Sequence, residues 1–201
     1  DVREIADGLL KADPKSFRGL RVRGMQLLLE RKVKEGIEIL QAANKVQPLT
    51  REVALPLVQA LIADGRDADA ENLGRVAIGK DKEFGAMYDV LYAQFLRANQ
   101  PDKGEAMLKL KVDANPKQSA FLLQLAGHYY SQQQRPEMVK TLDRITANPK
   151  DFTMGHVLVG NFYFRIREFD QAIQQYQQGE RSFPKDKALY RRKTAEALIY
   201  N

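Results

Sequence analysis

Residues 156–184 read HVLVGNFYFRIREFDQAIQQYQQGERSFP. His156, Val159, Gly160 and Tyr163 fall at helical spacing, so they share one face of a first helix. Ala172, Tyr176 and Gly179 share a face of a second helix. Pro184 closes that helix, because proline has no backbone N–H and clashes with the preceding turn. The stretch predicts an antiparallel helix pair with a polar break between its halves.

The same rhythm extends outward in both directions. Prolines 14, 48, 116, 149 and 184 are separated by 34, 68, 33 and 35 residues, with Lys82 at the missing beat. A period of about 34 residues is the signature of a stacked-repeat protein, in which each unit buries its apolar face only against its neighbours. The expected fold is therefore all-α, a right-handed α-solenoid of antiparallel helix pairs. Five complete units at about 15–48, 49–82, 83–116, 117–149 and 150–184 are expected, with half-units at 1–14 and 185–201. The fourth unit counts one residue short, and Pro56 is expected to interrupt the first helix of the second. Helices of this length are marginal alone in water, so stacking must supply their stability.

Small residues within the pairs support this. Gly24, Gly127 and Gly160 are expected to let two backbones approach, with Leu27, Phe95, Tyr130 and Tyr163 filling the space beside them. Glycine inside a helix costs about 0.5–1 kcal/mol against alanine, so its recurrence at one slot points to an offsetting gain in packing.

At these residues the chain resembles the tetratricopeptide repeat (TPR) family, and in particular degenerate bacterial arrays of envelope-associated and assembly proteins. The first unit matches at Leu20, Gly24, Leu27, Gly36, Leu40, Ala43 and Pro48, and the second at Leu57, Leu61, Ala70 and Ala77. The third matches at Tyr88, Leu91, Phe95, Gly104, Leu108 and Pro116. The fourth is placed on Leu123, Ala126, Gly127, Tyr130, Met138, Leu142, Ile145 and Pro149. Arg23 and Tyr92 depart from the pattern. The resemblance implies an interaction scaffold without catalysis.

Composition narrows the function classes. Charged residues make up 29% of the 201-residue chain, and no apolar run approaches bilayer length. The net charge of +6 comes from 32 basic residues mixed with 26 acidic ones, without the dense basic run that a nucleic-acid face requires. Protein or peptide partners are expected rather than nucleic acid. Zero cysteines exclude disulfides and thiolate ligands and fit a reducing cytoplasm or an oxidising envelope equally. The chain starts at Asp1, and its apolar ends (Ile5, Leu9 and Leu10; Leu189, Ala195 and Leu198) lack a capping helix, so it is expected to be part of a longer protein or to self-associate through those ends.

No catalytic constellation or cofactor motif stands out. The two histidines, His128 and His156, lie in different units without ligand-spaced partners, so no metal or cofactor is expected. His156 is expected to pack, and His128 to reach the inner face.

In a stack of helix pairs the first helices line one concave surface. The spacing assigns to it Arg18, Arg21, Met25 and Leu28; Glu52, Leu55, Gln59 and Ile62; Asp89, Ala93, Leu96 and Arg97; Gln124, His128 and Ser131; and Val157, Asn161, Phe164 and Arg165. Mixed charged, amide and apolar groups suit a peptide or partner helix held at a few anchors. The family's carboxylate-gripping mode uses Lys and Asn at fixed inner slots. Here Arg21 and Asn161 stand in separate units and Met25 replaces the first Asn, so that mode is disfavoured. Two alternatives are an RNA-binding helical repeat and the regulatory arm of an enzyme whose catalytic domain lies elsewhere.

Overall fold

The computed structural model describes residues 2–201; Asp1, the first residue of the expected half-unit 1–14, lies outside them. They form twelve α-helices and one short 3₁₀ turn, and no strand. The chain divides into two compact units, one ending at Ala114 and the other beginning at Asn115.

The first unit holds α1 (Val2–Ala12), α2 (Phe17–Leu29), α3 (Val33–Val46), α4 (Arg51–Ala63), α5 (Asp67–Lys80), α6 (Gly85–Arg97) and α7 (Pro101–Ala114). α2 packs on α3, α4 on α5 and α6 on α7, while α2 meets α4 and α4 meets α6, so the first helices lie side by side. The second unit holds α8 (Ser119–Ser131), α9 (Arg135–Thr146), α10 (Gly155–Arg165), α11 (Phe169–Ser182) and α12 (Lys187–Tyr200). Its pairs are α8 with α9 and α10 with α11, and α12 packs on α11.

The connection inside each pair is more regular than the prolines. Arg31, Gly65, Asn99, Gln133 and Arg167 all have left-handed backbone, with φ between 55° and 76°, and each stands 34 residues after the last. Each ends a helix with the same two bonds. Arg31 N–H donates to the Leu28 carbonyl at 3.0 Å and Lys32 N–H to that of Leu27 at 2.9 Å. Gly65 and Arg66 repeat this on Ile62 and Leu61, at 3.1 and 2.8 Å. This is the Schellman arrangement, which satisfies carbonyls that a helix end otherwise leaves open. Only one of the five positions is glycine, the residue that enters this region without steric cost, so composition alone hides the turns.

Two expectations are corrected here. Helix α4 runs unbroken through Pro56. The proline forfeits one backbone bond, to the Glu52 carbonyl, and buried Ala54, Leu57 and Val58 on both sides hold the helix in place.

The fourth pair is not one residue short. Helices α2, α4, α6, α8 and α12 start at Phe17, Arg51, Gly85, Ser119 and Lys187, in steps of 34 or 68 residues. Pro149 comes one residue early, and around it α9 ends at Thr146 and α10 begins at Gly155, each two residues off the step. The expected first-helix set Leu123, Gly127 and Tyr130 lies one position beyond the register of Leu20, Gly24 and Leu27, which falls on Leu122, Ala126 and Tyr129. In the structure Leu122, Leu125, Ala126 and Tyr129 are the buried residues, Tyr130 is 45% exposed, and a Cβ at Gly127 would meet nothing within 4 Å.

The pairs lock by matching large residues to absent ones. A Cβ at Gly24 would stand 2.7 Å from Leu40 Cγ, one at Gly36 2.7 Å from Leu28 Cδ2, and one at Gly104 3.2 Å from the Tyr92 ring. Tyr92, which breaks the expected pattern, is thus accommodated by glycine on the facing helix. In the second unit Gly160 receives the Tyr176 ring and Gly179 the Tyr190 ring, each closer than any Cβ would allow.

Candidate binding face

With this register the outward residues of each first helix follow from geometry. In the first unit Arg18, Met25, Glu52, Gln59, Ala93, Leu96 and Arg97 are exposed. Arg21, Leu28, Leu55, Ile62 and Asp89 are half-buried beside them. Between α4 and α6 they frame a depression of about 440 Å³ lined by Gln59, Ile62, Ala63, Val90, Ala93 and Arg97. Four of those six are residues that the spacing assigned to this face.

The second unit departs from the sequence assignment. His128 is 2% exposed and Val157 is 8%, so neither side chain presents to a partner. His128 belongs to the series Gln26, Ala60, Gln94, His128 and Phe162, one position per first helix, and all five are buried. A polar side chain recurring at three of these five positions is an interior feature of the pairs. Gln94 is satisfied at one end, its Nε2 donating to the Asp67 carbonyl at 3.0 Å, while its Oε1 is buried without a partner among the described residues.

Gln124 is half-buried and Ser131 exposed. The residues in register with Arg21, Met25 and Leu28 are Leu123, Gly127 and Tyr130. Tyr130 and Ser131 line a second depression of about 450 Å³ with Gln133, Arg135 and Met138.

Asn161 is exposed, and its Oδ1 accepts a bond from the Tyr176 hydroxyl at 2.9 Å. Burial, with Glu196 adding its charge, pushes the Tyr176 phenol up to about 12. Phe164 stacks edge-on with Phe169 and Tyr200, at centroid distances of 5.4 and 5.6 Å, and the Arg165 guanidinium lies 5.4 Å over the Phe162 ring. His156 is half-buried, with Nδ1 2.9 Å from Gln175 Oε1.

One charged feature of the face escaped the spacing. Lys111 on α7 is 3% exposed along its side chain, yet its Nζ donates to Asp89 Oδ1 at 2.6 Å. It stands where the earlier pairs have Ala43 and Ala77. A long side chain in a slot for a small one carries a cation from the second helix through to the first-helix face. The signal was present in the sequence, as a lysine breaking an alanine series opposite an aspartate.

Among the described residues no group of three or more His, Cys, Asp or Glu is placed to hold a metal ion. No described helix is long and apolar enough to cross a membrane.

Paired helices in a 34-residue register, closed by identical turns, define a TPR-type helical-repeat array. No family model matches the chain, and neither does any curated protein. Among solved structures the chain is similar to MamA, with 18% identity over 71% of this chain and 83% of that one at a TM-score of 0.57. It is also similar to PilF of Pseudomonas aeruginosa, with 15% identity over 96% and 85% at 0.56. A third is YrrB, described as a TPR protein with an unusual peptide-binding site, with 11% identity over 90% and 94% at 0.54. At these identities the likeness is one of fold.

Proposed function

We propose that this protein is a non-catalytic scaffold that holds a protein segment against the outward faces of its first helices. The observation that carries it is the depression between α4 and α6, where side chains of adjacent first helices converge on an apolar floor with polar margins. Adaptable exposed groups around a few anchors are what peptide recognition uses. The peptide-binding site ascribed to YrrB gives the same fold a precedent. The alternative of base-by-base RNA reading is not favoured, because the equivalent positions Arg21, Leu55, Asp89, Leu123 and Val157 show no recurring polar choice.

A photo-reactive side chain placed at Gln59 or Asn161, compared with Glu38 or Val76 on the second helices, tests this in extracts of the source cell. Protein adducts are expected at the first pair of positions and not at the second. Equal adducts at Val76, or none at Gln59 and Asn161, would contradict the proposal.

A further inference from the structure

The α4–α6 depression has a composition that specifies its occupant more closely. Its floor is aliphatic, from Ile62, Ala63, Val90 and Ala93, and its margins are the Gln59 amide and the Arg97 guanidinium. A volume of about 440 Å³ takes one large aliphatic side chain with part of its backbone. Arg97 is exposed and makes no ion pair or hydrogen bond among the described residues.

The charge around it is one-sided. On the first-helix face of this unit Asp89 is committed to Lys111, which leaves Glu52, unpaired among the described residues, against Arg18, Arg21 and Arg97. Arg21 is half-buried, and its Nε is buried without an acceptor. A carboxylate arriving beside Arg97 can form a bidentate bond with its guanidinium. Attraction of an acidic partner also speeds its encounter with the face.

We propose that this depression binds an acidic protein segment through one leucine- or isoleucine-sized side chain, with a neighbouring carboxylate on Arg97. The proposal rests on the first-helix face being the binding face, and adds the chemistry of the partner to it. The floor excludes water around the aliphatic group, which strengthens the adjacent ion pair.

The test uses an array of short synthetic peptides with a central Leu or Ala, flanked by Glu, Gln or Lys, probed with the full chain. The wild-type protein is expected to favour the Leu/Glu set over both the Leu/Lys and the Ala/Glu sets by about tenfold, a difference of about 1.4 kcal/mol. Ala93→Phe fills the depression and is expected to abolish that preference. Arg97→Glu is expected to move the preference to the Leu/Lys set. Both positions are exposed, so neither variant threatens the fold. Retention of the Leu/Glu preference by Arg97→Glu would overturn the proposal, as would the lack of any preference in the wild type. Peptides that bind without that preference and still cross-link at Gln59 would sink the proposal while leaving the first-helix face intact as the binding face.

Discussion

Gly160→Ala is expected to lower the stability of the chain by about 2 kcal/mol, while Gly127→Ala raises it by about 0.5–1 kcal/mol. The added methyl at 160 would stand 2.6 Å from Tyr176 Cδ1. That ring is 1% exposed and its hydroxyl is held by Asn161, so it cannot swing away without losing both burial and hydrogen bond. Overpacking of this kind costs about 1–3 kcal/mol or more and exceeds the gain in helix propensity. At 127 nothing lies within 4 Å, so the propensity gain stands alone. Chemical-unfolding midpoints of the two variants are expected to move in opposite directions, and Gly160→Ala with Tyr176→Leu to recover part of the loss. A stabilised Gly160→Ala would mean that the pair does not close on the tyrosine.

Asp89→Asn is expected to cost about 2–3 kcal/mol. Removing one member of a buried ion pair typically costs about 3–5 kcal/mol, and the 45% exposure of the Asp89 side chain lets water recover part of that. Lys111→Met keeps the length of the side chain and removes the charge that needs compensation. It is expected to fall within about 1 kcal/mol of wild type, or above it. The double variant should match Lys111→Met, because the cost of Asp89→Asn depends on the Lys111 charge that the double variant lacks. If Lys111→Met proved as costly as Asp89→Asn, the pair would be a net stabilising element and not a cation delivered to the first-helix face.

How far the fold was legible depended on which punctuation the chain supplies. Helix-period apolar spacing and proline recurrence were sufficient for an all-α array of helix pairs, because both act locally on the backbone. Proline marks a loop, however, and a loop tolerates a one-residue shift that a packed helix does not. The first helix of the fourth pair was placed one residue too far along the chain, so that Tyr130 passed for a packing residue and His128 for a surface one. The structure ties register to the left-handed turn residues instead. Arg31, Gln133 and Arg167 are chemically silent about that role, since the Schellman bonds are made by the backbone.

The candidate face was legible where the register was right. Gln59, Ile62, Ala93 and Arg97 were named from spacing and line one depression. It was illegible where identity depends on packing across helices. The accommodation of Tyr92 by Gly104 and the reach of Lys111 to Asp89 each join residues of two helices, which spacing within one helix does not connect.

Thiol accessibility offers the most direct measurement of the central claim, that within each unit the same positions of the 34-residue register carry the outward residues of the first helices. The chain has no native cysteine, so single substitutions can be labelled without background. Ala93→Cys and Gly127→Cys are expected to react near the rate of a free thiol. Ala60→Cys and His128→Cys, whose parent residues are buried, are expected to be slower by about a hundredfold or more, because their labelling requires local opening. Rapid labelling at 60 and 128, or protection at 93 and 127, would contradict the register and with it the face.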